Sequence, residues 1–332
     1  SEEGSGLDAA LSTLVDQIDV AGCSCVVSVP AEQVSFRNIQ VPFKQIKKIR
    51  QILPFELEPS MPFPVERLII DFHAIKAEGQ GLDVQTDLIA AAVDSARLES
   101  CLELLSSYGI DPEIVTVGGY PAAVCLSQLA DIPDNTLLLD IGENKSTLFV
   151  LGSGQLSLVR SIPAGSEVMA RKETLCQNIQ RTLYAFEESR DDEFQPERLY
   201  LTGPARGENG FESEIARLLE VPARRTDLVN DTSVRINNRP TESWKPDVMD
   251  NSFALALMDI IGIKGLNFRK GPFAVKKRWA EHRKNFIRSG ILAAAVLILM
   301  LINFSIDYYS KKGQLKDLND RIEKIFLSTF PD

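Results

Sequence analysis

Residues 137–150 read Leu137-Leu138-Leu139-Asp140-Ile141-Gly142-Glu143-Asn144-Lys145-Ser146-Thr147-Leu148-Phe149-Val150, two apolar stretches around a short polar turn. The first stretch ends in Asp-x-Gly and the second begins with Ser-Thr, which predicts two antiparallel strands joined by a tight turn. Backbone N–H groups and hydroxyls at the tip of such a hairpin can surround a phosphate, and a neighbouring carboxylate can hold a hydrated Mg²⁺. Asp140 could equally accept hydrogen bonds from its own turn, so the hairpin alone leaves both interpretations open.

Strand and helix patterns alternate on both sides of this hairpin. Strand patterns bounded by Gly, Pro or Asn occur at Cys23–Val29, Val34–Val41, Arg67–Ile75, Leu88–Val93, Ile114–Val117, Gln155–Ile162 and Arg198–Thr202. Helix patterns occur at Ser95–Tyr108, Pro121–Leu129, Glu167–Glu188, Glu212–Leu219 and Asn251–Ile260, and loops are expected at Ser1–Gly6 and Arg235–Val248. Because strands and helices mix in a similar order in two halves, we predict an α/β body with a duplicated architecture.

The residues around the hairpin resemble the actin-like ATPase superfamily. The hairpin, the corner Pro163-Ala164-Gly165 and the following helix are similar to its second phosphate segment, and residues 198–205 stand where that superfamily has its adenosine loop. The resemblance implies a duplicated, ribonuclease H-like fold. It also implies that Asp140 would position Mg²⁺ or water and that Thr202 and Gly203 would face adenine. The residues that it would place around the phosphates are Gly142, Asn144, Lys145, Ser146 and Thr147.

Three departures from the pattern of that superfamily concern its catalysis. Asn144 and Lys145 stand where a glycine and a hydroxyl residue are usual, although asparagine tolerates the left-handed conformation that such a turn can need. Pro204 replaces the second glycine of the adenosine loop and removes a backbone donor. No N-terminal Asp-x-Gly strand occurs before Cys23, and truncation could have removed one. We therefore expect a scaffold without catalytic residues, metal or required cofactor, while ATP binding without turnover stays open.

A second segment, Ser289–Ile306, carries no charged residue and little polarity. In a helix its 18 residues reach about 27 Å, close to the hydrocarbon thickness of a bilayer. Its position far from the N-terminus excludes a secretory signal. The segment therefore predicts one transmembrane helix, and a buried core helix is the alternative.

Charge around this span predicts the orientation of the chain. The preceding neck, residues 264–288, carries nine Lys or Arg residues and one acid, whereas residues 307–332 carry five charges of each sign. Since Lys and Arg stay on the cytoplasmic side, we expect a cytoplasmic body and an inner-membrane location. The net charge is −10, so the residues before the neck carry about −18, which disfavours nucleic acid as a partner. The neck either contacts anionic lipid headgroups or is an ordinary flank of the span.

Two further patterns concern partners and metals. Leu315, Leu318, Ile322 and Ile325 follow a heptad spacing that continues back through the span. This seam could pair two copies of the chain, or the helix could pack on its own domain. Five scattered cysteines form no disulfide or metal pattern, and Cys23 and Cys25 alternate in a strand pattern that would place both on one face.

A narrower resemblance covers almost the whole chain. The segments Leu53–Glu58 and Pro62–Glu66 resemble the pilus-assembly protein M branch, and a body of this type followed by a basic neck and one span is similar to the type II secretion system protein L family. That family resemblance implies a membrane platform that recruits a secretion ATPase and binds other inner-membrane platform proteins. A membrane-tethered nucleotide-binding protein and a pilus-assembly platform are the alternatives.

The resemblance also gives expected domain boundaries and extent. We expect subdomains at 1–119 and 120–263, the neck at 264–288, the span at 289–306 and the start of a periplasmic domain at 307–332. We also expect the sequence to be a fragment that lacks most of the periplasmic domain.

Overall fold

The structure is a computed structural model that describes residues 2–20, 22–61, 63–78, 85–165, 172–189, 193–203, 210–234, 244–275 and 279–329. The strands are β1 (Val26–Val29), β2 (Val34–Val41), β3 (Leu68–Glu78), β4 (Gln85–Asp94), β5 (Ile114–Val117), β6 (Thr136–Ile141), β7 (Ser146–Gly152), β8 (Gln155–Ile162), β9 (Arg198–Thr202) and β10 (Ala223–Arg225). The helices are α1 (Glu2–Gln17), α2 (Ile46–Leu57), α3 (Ser95–Ser107), α4 (Tyr120–Leu129), α5 (Lys172–Glu188), α6 (Phe211–Leu219), α7 (Leu228–Asp231), α8 (Pro246–Ile261) and α9 (Trp279–Thr329).

The predicted hairpin lies in a five-stranded sheet of order β10-β9-β6-β7-β8. Strands β6, β7 and β8 form an antiparallel meander, and β9 runs parallel to β6 and to β10. Both faces of β6 and β7 are apolar because helices cover the sheet on each side. One face contributes Leu138 and Phe149 to the largest core, and the other contributes Leu139 and Val150 to a second core with α5 and α6.

Strands before α4 are arranged differently. β1 and β5 form a parallel pair, and β2, β4 and β3 form a separate antiparallel sheet in that order. Helix α2 packs on this second sheet through Ile49, Leu53 and Leu57. Among the described residues the five-stranded arrangement therefore occurs once, because the unit β2-α2-β3-β4 is inserted between the paired strands β1 and β5.

Helix α9 forms the main part of a second compact unit. The body comprises residues 1–275 and the second unit residues 276–332. At 1.5 Å per residue, the 51 residues of α9 span about 76 Å. Within α9, residues 294–325 are long and apolar enough to cross a membrane, and none of this stretch is buried. The predicted span at Ser289–Ile306 thus overlaps an exposed apolar helix, and the alternative of a buried core helix is wrong.

Several local predictions are wrong. Strand β1 begins only at Val26, so Cys23 and Cys25 precede it; Cys23 is exposed and donates its thiol to the carbonyl of Asp19 at 3.5 Å. Helix α1 begins at Glu2, within the expected loop Ser1–Gly6.

Two helices that contain prolines differ from the prediction. Helix α8 begins at Pro246, inside the expected loop Arg235–Val248, of which residues 235–243 lie outside the described part. Proline suits this first helical position because its missing N–H would have no intrahelical partner there. Helix α2 was not predicted because Pro54 lies inside it, and proline usually ends a helix. The predicted start of α5 at Glu167 also lies outside the described residues.

Candidate functional site

The turn of the hairpin is short and closed. Asp140 pairs with Thr147 across the two strands, and the N–H of Gly142 donates to the carbonyl oxygen of Lys145 at 3.1 Å. Positive φ angles in the described part of the chain do not include Asn144, so the turn forms without the left-handed conformation considered from the sequence. The side chains of Asn144 and Lys145 are exposed at the tip of the turn.

The corner that follows β8 packs directly against this turn. A Cβ atom built on Gly165 would overlap the backbone of Glu143 and Asn144. The hydroxyl of Ser146 donates to the carbonyl of Ala164 at 2.5 Å, so this hydroxyl is already used within the protein. The face of the turn next to the corner is therefore occupied by the chain itself.

Asp140 lies at the end of β6 in a narrow recess between two glycines. Gly119 and Gly203 both have positive φ, +74° and +97°, which glycine adopts without steric cost. A Cβ on Gly203 would lie 2.5 Å from one carboxylate oxygen of Asp140, and a Cβ on Gly119 would lie 2.6 Å from the other. Two backbone segments thus enclose the carboxylate from both sides.

The recess changes the acidity of Asp140. Burial raises the pKa of this carboxyl group to about 6, while a hydrogen bond from the Asn251 side chain on α8 partly opposes the rise. Removal from water disfavours the charged form, and the nearby groups compensate only in part. Such a pKa occurs at catalytic carboxylates and also at packed structural ones, so it does not by itself establish a role.

The predicted adenine-facing residues lie beside this carboxylate. Thr202 is opposite Asp140 in the parallel pairing of β9 with β6, and it is fully buried. Its hydroxyl has no hydrogen-bond partner among the described residues. Gly203 follows at the end of the strand, and Pro204 lies outside the described residues.

The predicted site residues therefore fall into two groups. Asp140, Thr147, Thr202 and Gly203 converge where β6, β7 and β9 meet, whereas Asn144 and Lys145 lie on the surface of the turn. Gly142 and Ser146 connect the groups by bonds inside the hairpin and its corner. The arrangement can recess a carboxylate against backbone, and its crowding at the glycines leaves little room at Asp140 for a metal ion or a phosphate.

Residues elsewhere, which the sequence did not predict, connect a basic segment to the body. Of the cations in the predicted neck, Arg269 forms an ion pair with Asp111 at 2.7 Å and Lys270 forms one with Asp71. Phe273 packs against the largest core. The first part of the neck, up to Val275, therefore belongs to the body. No local signal in the sequence identifies these acids as its partners.

Part of the chain matches a known protein family. The sequence profile of the type II secretion system protein L family matches residues 4–159. Over these residues, slightly less than half of the chain, the sequence is similar to that family. The match to protein L includes β1 to β7, the first part of β8 and the hairpin with Asp140, whereas α5 to α9 lie beyond it. Among curated proteins, no match was found.

Two solved structures are similar to this chain. The structure described as the PilM-PilN type IV pilus biogenesis complex aligns with a TM-score of 0.63 at 23% identity, over 78% of this chain and 86% of that chain. The cytoplasmic domain of EpsL, described as an inner-membrane component of the type II secretion system of Vibrio cholerae, aligns with a TM-score of 0.44 at 15% identity, over 80% and 84% of the two chains. The alignment with the PilM-PilN structure supports the predicted actin-like α/β fold of the body, and α9 adds one candidate membrane span.

Proposed function

We propose that the chain is a platform component of a type II secretion system, whose body recruits the secretion ATPase to the membrane. The observation that carries this proposal is the presence in one chain of a protein L match and an exposed apolar helix long enough to span a bilayer. A body that is covalently attached to such a helix can raise the local concentration of a soluble partner at the membrane without performing any reaction.

The proposed orientation has a cytoplasmic body. Lys and Arg in the sequence concentrate before the apolar segment, and Lys311 and Lys312 after it are balanced by acids. A secretion ATPase that works in the cytoplasm could reach the body only in this orientation. Anionic lipid headgroups are the expected contacts of the cations that follow the body, residues 276–288.

The proposed role is non-catalytic. Asp140 is the carboxylate that a working actin-like ATPase would need at the phosphates, and here a Cβ on Gly119 or Gly203 would already lie within 2.6 Å of its oxygens. A hydrated Mg²⁺ needs several ångströms of free space around its ligand. We therefore propose that Asp140 is a packed, non-catalytic residue at the junction of β6, α4 and α8 and that the body turns over no nucleotide.

Nucleotide binding without turnover remains a second candidate. The buried hydroxyl of Thr202, which has no partner among the described residues, is the specific observation that favours it. A ligand that reached this hydroxyl would satisfy a buried polar atom, and leaving such an atom unsatisfied costs about 1–3 kcal/mol.

Pairing through α9 completes the proposal. Leu315, Leu318, Ile322 and Ile325 are all more than half exposed. Two copies anchored in one membrane have the same orientation, so a parallel homodimer can bury this seam. Other inner-membrane platform proteins are the proposed partners along the same helix.

Flotation with liposomes tests the recruitment. The full chain is reconstituted into liposomes and mixed with the purified secretion ATPase of the same system, and the fraction of ATPase that floats is measured. We expect the ATPase to float only with liposomes that carry the chain. The floating fraction should be the same when the chain carries Asp140→Ala. An ATPase that stays in the soluble fraction would contradict the proposal, and nucleotide hydrolysis by the chain alone would contradict the non-catalytic role.

A further inference from the structure

A short segment without helix or strand structure joins α8 to the residues that lead to α9. We call this segment, Ile263–Lys270, the strap. Two of its apolar side chains are buried in the largest core, Leu266 at 1% exposure and Phe268 at 0%. The strap therefore lies in a groove on the body, although it has no secondary structure of its own.

Backbone groups of the strap are bound as in the recognition of an extended peptide. The N–H of Phe268 donates to the carbonyl oxygen of Val115 on β5 at 2.7 Å, and the N–H of Val115 donates to Oδ1 of Asn267 at 3.1 Å. Strand β5 pairs with β1 on its other side. The strap thus occupies the second edge of β5 and satisfies groups that would otherwise be unpaired.

One buried carboxylate anchors the centre of the strap. Asp71 on β3 is 3% exposed, and its Oδ2 accepts the N–H of Asn267 at 2.8 Å. Its Oδ1 forms an ion pair with the ammonium group of Lys270. A bond to an ionised partner is stronger than one between neutral groups. Asp71 is consequently the strongest polar attachment of the strap to the body that we find among the described residues.

Glycines with positive φ lie at both ends of the strap. Gly262 has φ +77° and Gly271 has φ +54°, and a Cβ on either residue would meet nothing within 4 Å. Gly265 inside the strap is different, because a Cβ there would overlap Tyr120 and Met258. The middle of the strap is thus tightly seated, while its two ends have the backbone freedom and the space that a hinge needs.

Incomplete packing surrounds the strap on two sides. One cavity of about 410 Å³ is lined by Asp71, Thr116 and the strap, and a second of about 680 Å³ extends past Lys270 towards Phe273. The Thr116 hydroxyl in the first cavity and Nε of Arg269 are buried without a hydrogen-bond partner among the described residues. Leaving buried polar atoms unsatisfied weakens docking, and this loss offsets part of the stabilisation from the buried Leu266 and Phe268.

We propose that the strap is a latch, which is docked on Asp71 and can leave its groove between Gly262 and Gly271 while the rest of the body stays folded. If Phe273 also leaves its contact with the core, release converts residues 263–275 into a flexible connection between the body and α9. At 3.3–3.6 Å per residue, these 13 residues can extend to about 45 Å. The latch thereby sets how far the body can reach from its helix, and this property does not depend on which partner the body recruits.

Hydrogen exchange of the full chain in detergent micelles tests the latch. The variant Asp71→Asn removes the charge that holds Lys270 and weakens the bond from Asn267. We expect the N–H groups of Asn267 and Phe268 to exchange at least about tenfold faster than in the wild type. The N–H groups of β6 should keep their wild-type rates.

A matched variant and a second substitution make the result decisive. Asp111→Asn removes the ion pair of Arg269, in which Asp111 is half exposed, and should change exchange in the strap by less than about fivefold. If Asp71→Asn does not fold, Lys270→Gln is measured in its place, with the same expectation for the strap. Unchanged exchange in the strap would overturn the proposal, because Asp71 would then not be its anchor. Equal acceleration in the strap and in β6 would also overturn it, because opening would then require the whole body to unfold.

Discussion

Replacing Asp140 by asparagine should stabilise the body at neutral pH, because the enclosed carboxylate is costly to ionise. Burial raises its pKa from an ordinary value of 3.8 to about 6. At about 1.4 kcal/mol for each pKa unit, ionisation in the folded state costs about 3 kcal/mol above pH 7. Asparagine has the same shape and keeps an oxygen that can accept the bond from Asn251. Since some relaxation is expected, we predict a gain of about 1–3 kcal/mol at pH 7.5.

The pH dependence follows from the direction of the shift. The pKa of Asp140 is higher in the folded state than in the unfolded chain, so the folded state binds more protons between about pH 4 and pH 6. The contribution of Asp140 to stability is therefore largest below its unfolded pKa and is lost as pH rises through about 6. The advantage of Asp140→Asn should be roughly 2 kcal/mol smaller at pH 4.0 than at pH 7.5.

Urea denaturation of the full chain in mild detergent measures this difference. Trp244 packs edge-to-face on Phe253 of α8 and reports the folding of the body by fluorescence, in a background where Trp279 is replaced by phenylalanine. The exposed Asp134→Asn serves as a control, with an expected change within about 0.5 kcal/mol. If Asp140→Asn were instead less stable than the wild type at pH 7.5, the ionised carboxylate would be making a favourable contact, and the account of Asp140 as a packed structural residue would be wrong.

Three further predictions concern the glycines, the nucleotide and the membrane. Gly203→Ala should lower the free energy of unfolding by about 1–3 kcal/mol more than Gly154→Ala, since both glycines have positive φ but only the first would place its Cβ against Asp140; urea denaturation measures both, and equal losses would contradict the crowding. Isothermal titration of the full chain with Mg-ATP should give the same result for wild type and Asp140→Ala, and micromolar affinity that disappears in the variant would refute the non-catalytic interpretation. Reversing the charges of residues 276–278 should weaken membrane insertion with the body in the cytoplasm, and unchanged protease protection of the body in spheroplasts would remove the main support for the orientation.

The sequence predicted the hairpin well because its signals are local. The two apolar stretches quoted from residues 137–150 lie in β6, Thr136–Ile141, and β7, Ser146–Gly152, with the polar turn between them. An Asp-x-Gly turn between two apolar stretches needs no distant contact to form. The apolar segment in α9 could also be predicted from the sequence. Eighteen consecutive residues without a charge occur mainly in transmembrane helices or in buried cores.

The enclosure of Asp140 could not be read from the same residues. Gly119 and Gly203 approach the carboxylate from segments far away in the sequence, and only the fold brings their backbones together. The anchor of the strap could not be predicted from the sequence either. Asp71 and Lys270 are distant in sequence, and both belong to segments with ordinary local patterns. Charge counting therefore assigned Lys270 to a neck facing the membrane, although it is paired with an acid of the body.

The distribution of the secretion ATPase in cells tests the central claim most directly. Cells that carry the full chain are compared with cells in which the apolar residues 294–306 are deleted, and the fraction of ATPase in the inner-membrane pellet is measured. We predict that most of the ATPase is membrane-bound with the full chain and soluble with the deletion. An ATPase that remains equally membrane-bound in both strains, while the truncated chain is stable in the cytoplasm, would contradict the proposal that this chain tethers it.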